Sequence, residues 1–178
     1  MKVGRNTTIS SSTNFYNSEN IVIGENVRID DFCIITGNVT IGSHLHIGAG
    51  THLHGGGGIL LEDFVHISPR VTIFSENDDW SGMSLIGPAV PMTYKPGYDS
   101  QPVVLRKHSG VCIRSTLLPG VHVEAGAIVA AHSFVKDDCK EWSFYAGVPA
   151  KFLKLRLTRA VTEKLEKQFL EEYKRNNP

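Results

Sequence analysis

The chain has 178 residues, enough for one domain with a substantial apolar core. Its 18 Lys and Arg balance 18 Asp and Glu, so no excess positive charge exists to release counterions from nucleic acid, and that class of partner is set aside. No stretch approaches the roughly 20 apolar residues of a spanning helix, the start lacks an apolar signal core, and Cys33, Cys112 and Cys139 show no metal spacing. The expectation is a cytoplasmic protein with free, mostly buried thiols.

From the start of the chain, apolar residues recur every six positions. Val3, Ile9 and Phe15 lead, after a two-residue offset, to Ile23, Ile29, Ile35, Ile41, Ile47 and Leu53. A second such offset precedes Leu61, Ile67 and Ile73. Turn residues follow many rungs, as in Gly24-Glu25-Asn26, and small or β-branched residues stand four places on. A short strand and a tight turn every six residues bend the chain into a corner each time, and three edges close a coil. Stacked at roughly 4.8 Å, such coils form a β-solenoid around a dry column. A helix of 3.6 residues per turn would smear a six-residue period around its surface. The offsets fall between groups of three rungs and read as bulged corners.

After Ile73 the ladder stops. The segment 74–104 carries Asp78, Asp79 and Trp80, then Pro88, Pro91, Pro96 and Pro102. A loop this long in a compact domain is usually functional, and Trp80, Met83, Leu85, Ile86, Tyr94 and Tyr98 argue against disorder. Adjacent acids and aromatic rings suit a lid over a polar, ring-shaped substrate such as a sugar. Asp79, Trp80 and Tyr94, with His54, are the candidate acceptor contacts. An oligomerisation arm is the alternative.

The ladder resumes at Leu105, Val111, Leu117, Val123, Val129 and Val135, and Gly147 and Pro149 mark its exit. From Thr158, an N-cap candidate, Val161, Leu165, Phe169 and Tyr173 recur every four residues among Glu and Lys. That pattern predicts an amphipathic helix packed on the solenoid or on a neighbouring subunit. The organisation expected is a solenoid domain over 1–154 with its excursion at 74–104, then a helical segment over 155–178.

Leu118-Pro119-Gly120-Val121, Glu124-Ala125-Gly126-Ala127 and Tyr145-Ala146-Gly147-Val148-Pro149-Ala150-Lys151 resemble the C-terminal half of the hexapeptide-repeat acyltransferases. The resemblance implies an all-β fold, a left-handed parallel β-helix, assembled as a homotrimer. It further implies acetyl-CoA as acyl donor, bound along the C-terminal coils between two subunits. Gly55-Gly56-Gly57-Gly58, Ser81-Gly82 and Lys107-His108 are most similar to the branch that acetylates sugar hydroxyl or amino groups in surface-polysaccharide and nucleotide-sugar biosynthesis. Carried over by position, Gly110 and Ile113 flank the pantetheine arm, and the Ala131 backbone bonds its amides. Lys136, Lys151 and Lys154 meet the nucleotide phosphates, as flexible cations on an exposed rim can.

Galactoside acetyltransferases, similar in fold, carry a histidine base after the rung equivalent to Ile73; here that place holds Asp78. An aspartate near pKa 4 is a poor base for a hydroxyl unless its surroundings raise it, but it can grip a hydroxyl or orient an ammonium. His108, at a corner after the loop returns, is the other candidate base. No Ser or Cys sits in a nucleophile motif, so direct attack in a ternary complex is expected. A related carbonic-anhydrase branch binds zinc through histidines four residues apart; His44/His46 and His52/His54 are two apart and would project from one side of a strand. They read as surface or interface packing, with no metal expected, and an inert scaffold is the remaining alternative.

Overall fold

A computed structural model describes residues 1–176; Asn177 and Pro178, the end of the expected helical segment, lie outside the described residues. Three columns of rungs stack in parallel register. One face runs Val3, Ile23, Ile41, Leu61, Leu105, Val123. The second runs Ile9, Ile29, Ile47, Ile67, Val111, Val129, Tyr145. The third runs Phe15, Ile35, Leu53, Ile73, Leu117, Val135. From Ile23 to Val135 these rungs are buried almost completely and form one continuous core. The chain is a left-handed parallel β-helix, and the six-residue ladder is its interior.

The two offsets are absorbed differently. The first lies at a single 3-10 turn, Ser18–Asn20. The second is not a separate corner: strand His52–Leu61 runs through it, and its register against Ile34–Ile41 jumps from Gly37↔Gly55 to Val39↔Ile59. A run of glycines permits this, because a Cβ at Gly55 would lie 2.6 Å from Val39 Cγ2.

Each turn of the coil places a residue in the left-handed region, and these residues stack at the corners. One corner carries Asn26, His44, Phe64, His108 and Trp142, with φ between 49° and 60°. Non-glycine residues pay roughly 1–2 kcal/mol for that conformation. Part of the cost is offset by ring stacking of His44 on Phe64 at 5.1 Å and of Phe64 on His108 at 5.3 Å.

After Trp142 the strand Ser143–Gly147 pairs antiparallel with Ala150–Leu155, and the helix Arg159–Asn176 folds back over the corner column. Phe169 meets the His44 ring edge-on at 5.0 Å, and Asn26 Nδ2 donates to Tyr173 Oη at 2.8 Å. The apolar stripe expected to dock is only partly used. Val161 and Leu165 remain 59% exposed, whereas Thr162, Glu166 and Tyr173 are half-buried. The corner column is aromatic and polar, so it selects the helix face that offers rings and a carboxylate.

Candidate active site

The excursion after Ile73 is a structured lobe. Its base is closed by Glu76–Asn77 pairing antiparallel with Asp99–Ser100. Between lobe and coil lies a cavity of about 340 Å³, whose lining includes His54, Phe74, Glu76, Asp78, Lys95 and Tyr98. His54 stacks flat on Phe74, ring centroids 4.8 Å apart. Burial, then the neighbouring His52, lowers the His54 pKa despite the nearby Glu76 carboxylate, so its imidazole is neutral at pH 7. Glu76 lies against the strand because position 56 is glycine; a Cβ there would overlap its carboxylate. Burial, then a hydrogen bond to Glu76, pushes the Tyr98 phenol up to about 12.

The paired acids brace the lobe. Asp78 Oδ1 accepts from Lys95 Nζ at 2.7 Å, Oδ2 from the Gly87 N–H at 2.8 Å, and the Lys95 side chain is only 4% exposed. Lys95, then the Gly87 N–H, holds the Asp78 carboxyl below the usual range. Asp79 turns the other way, accepting from the Ser81 N–H at 2.9 Å and from Ser84 Oγ at 3.0 Å. Trp80 Nε1 donates to Asn77 Oδ1, but its ring is 71% exposed, and Tyr94 is also exposed. The structure therefore brings His54 and Asp78 together on one cavity and leaves Asp79, Trp80 and Tyr94 off its lining within a single chain.

His108 lies elsewhere, on the corner column. Its Nε2 is 2.7 Å from Glu166 Oε2 on the C-terminal helix, and Lys107 pairs with the other oxygen. Desolvation pushes the Glu166 carboxyl up, but hydrogen bonds from Lys107 and His108 outweigh it and the net shift is downward. Beside His108, Gly110 sits in a second cleft of about 260 Å³, also bounded by Cys112, Ile128 and Arg156. Arg156 Nη1 donates to the carbonyls of His108 and Gly126 at 3.2 and 3.0 Å. Ile113 and Ala131 are exposed on adjacent coils, joined by the His132 N–H donating to the Ile113 carbonyl. Lys136 and Lys151 flank Asp137 at 3.3 and 3.9 Å, and Lys154 Nζ lies 5.2 Å from the Phe144 ring centroid.

The thiols are quiet. Cys33 and Cys139 are buried, with Cys139 pushed up to about 12 mainly by burial, and burial also raises Cys112. His44 and His46 do not project together: His44 is the left-handed corner residue facing the helix, and His46 Nε2 lies 2.8 Å from Asp30 Oδ2. Among the described residues no group of three or more His, Cys, Asp or Glu is arranged to hold a metal.

Sequence reasoning missed Glu76 and Lys95 as cavity residues and Glu166 as the partner of His108. The four-glycine run was the available signal for Glu76. Nothing local marks Lys95, whose pairing with Asp78 spans the whole lobe.

The family described as bacterial transferase hexapeptide (six repeats) matches residues 20–55. A dTDP-4-amino-4,6-dideoxy-D-glucose acyltransferase of Escherichia coli is 39% identical over 84% of this chain and 79% of its own length. The N-acyltransferase AntD from Bacillus cereus, solved in complex with dTDP and 3-hydroxybutyryl-CoA, is 42% identical with a TM-score of 0.92, covering 97% of this chain and 91% of AntD. A single-residue mutant of AntD has also been solved with dTDP-4-amino-4,6-dideoxyglucose and coenzyme A. PerB from Caulobacter crescentus, 20% identical with a TM-score of 0.64 over 84% of this chain and 57% of PerB, shares the fold.

Proposed function

The chain belongs to the hexapeptide-repeat acyltransferases, and on that premise we propose that it moves an acyl group from acyl-CoA to the amino group of a dTDP-linked 4-amino-4,6-dideoxy sugar. The neutral amine attacks the thioester carbonyl carbon, an N–C bond forms and the C–S bond breaks. Coenzyme A departs as thiolate and takes up the proton that the nitrogen sheds. Such a nucleophile needs orientation more than a strong base.

The state of Asp78 carries this reading. At the place where a relative of similar fold keeps a histidine base, this chain has a carboxylate already committed to a buried lysine. In the reading, Asp78 holds the lobe over the acceptor, while His54, Glu76 and Tyr98 offer hydrogen-bond partners to the amine and sugar hydroxyls. His108 acts through its contact with Glu166, and neither it nor Asp78 serves as general base. The donor lies along Gly110, Ile113 and Ala131, with its phosphates near Lys136, Lys151 and Lys154. The acyl group is acetyl or the 3-hydroxybutyryl carried by AntD's ligand.

The acceptor cavity and Gly110 lie on different faces of one coil stack, so the reading requires a homotrimer in which a neighbour's face closes the groove. Exposed Trp80, whose turn Asp79 fixes, and exposed Tyr94 then reach the acceptor from the rim. In this reading the enzyme is cytoplasmic and its nucleotide-sugar product feeds surface-polysaccharide assembly.

The test is a thiol-release assay with acyl-CoA and two acceptors, the dTDP-4-amino sugar and its 4-hydroxy analogue. Turnover of the amine alone is expected. Turnover of the hydroxyl alone, or failure to bind coenzyme A, refutes the proposal.

A further inference from the structure

We propose that the cleft at Gly110 is an acyl-chain pocket selecting a four-carbon 3-hydroxyacyl group over acetyl; the inference rests on the acyl-CoA-dependent reading above. The outward column of the second face runs Arg28, His46, His66, Gly110, Ile128, Phe144. Every member but Gly110 carries a side chain. The gap is not a backbone requirement, since Gly110 lies in a regular strand outside the left-handed region. Glycine inside a strand is less favourable than alanine, and one that the backbone does not need marks close approach by something else.

The space is specific. A Cβ at Gly110 would meet Ile128 Cδ1 at 3.1 Å and the His66 carbonyl oxygen at 3.8 Å. One methyl fits if the Ile128 tip yields; a branched side chain would fill the notch. The cleft above it, about 260 Å³, exceeds a water-sized volume of ~30 Å³ several times over, more than an acetyl methyl fills. Ile128 gives it an apolar wall, the backbone of Gly110 and Val111 its floor, and His66, His108 and Thr162 put imidazoles and a hydroxyl on its walls. An alkyl chain bearing one hydroxyl matches that lining.

The experiment compares kcat/KM for acetyl-CoA, butyryl-CoA and 3-hydroxybutyryl-CoA on the full chain with the dTDP-4-amino sugar. The 3-hydroxybutyryl ester is expected to lead both others by about tenfold or more, the range that one or two groups in a fitted pocket discriminate. Gly110→Val should collapse the ratio of 3-hydroxybutyryl to acetyl transfer, and Gly110→Ala should reduce it less. Should the valine variant fail to fold by circular dichroism, the alanine ratio decides. Equal kcat/KM for the acetyl and 3-hydroxybutyryl esters, or an unchanged ratio in the folded variants, overturns the inference. Calorimetric Kd values for the three esters separate the two claims. If no acceptor is turned over but 3-hydroxybutyryl-CoA binds tightest and Gly110→Val abolishes that advantage, the acceptor reading falls and the pocket stands. Equal affinities overturn the pocket whatever the acceptor.

Discussion

Asp78 and His108 each have a partner that predicts how replacement will behave. Asp78→Asn keeps the shape but removes the charge opposite Lys95, whose side chain is only 4% exposed. A buried cation left without its counter-charge is unfavourable, so the lobe should lose its hold on the cavity. The expected outcome is a fall of about 10–100-fold in kcat/KM, the scale on which small misplacements are felt, carried mainly by KM for the acceptor. His108→Asn is different, because asparagine accepts the left-handed corner conformation that position 108 requires. Activity should stay within about tenfold of the parent. A thousandfold loss in kcat at unchanged KM would make His108 the base and refute the base-free mechanism.

At the scale of elements, the C-terminal helix is tied to the coil stack by one carboxylate between two cations and by rings on a corner column. Glu166→Gln should weaken that dock by about 1–2 kcal/mol, less than a fully buried charged bond because Lys107 is 39% exposed. Hydrogen exchange should then accelerate in Arg159–Asn176 while the coils stay protected. This helix also shows where sequence reading stops. Its existence was legible from Val161, Leu165, Phe169 and Tyr173, but the face it buries was not, since that depends on a column assembled from residues 26, 44, 64 and 108. The rungs were legible one by one because burial in a solenoid is strictly periodic. The candidate site was legible as a place, the break after Ile73, and at single residues such as His54. The Asp78–Lys95 and Glu76–Tyr98 partnerships were not, because a long loop has no period to reveal which of its residues meet.

For the whole molecule, stability should follow the shifted groups. Asp30, Glu62, Asp78, Asp79 and Glu166 all have lowered values. Each contributes stability that is fully present above the unfolded carboxylate range near 4 and is lost as pH falls through the folded value. His54 shares that preference for the deprotonated form, here the neutral one: its folded value lies below 6.5, so stability starts to fall once pH drops below about 6.5. Tm should be level from pH 7 to about 8, decline gently below pH 7 and steeply under pH 4.5, and decline again at alkaline pH, where the buried Cys139 thiol and the Tyr98 phenol resist ionisation. A Tm that rises between pH 7 and 5 would contradict the neutral, buried His54. The remaining question at this scale is closure. Leu155, Leu157, Val161 and Leu165 leave 59%, 88%, 59% and 59% of their surface exposed near the last strand and the helix start, an apolar patch of the kind that marks an interaction site. If a neighbouring subunit covers it, Leu157→Asp combined with Leu165→Asp should turn a trimer into monomers by light scattering. Activity should fall with the trimer fraction, because the acceptor cavity and the Gly110 cleft on different faces can then no longer meet across a groove. Monomers that retain full activity would mean that one chain completes the site alone.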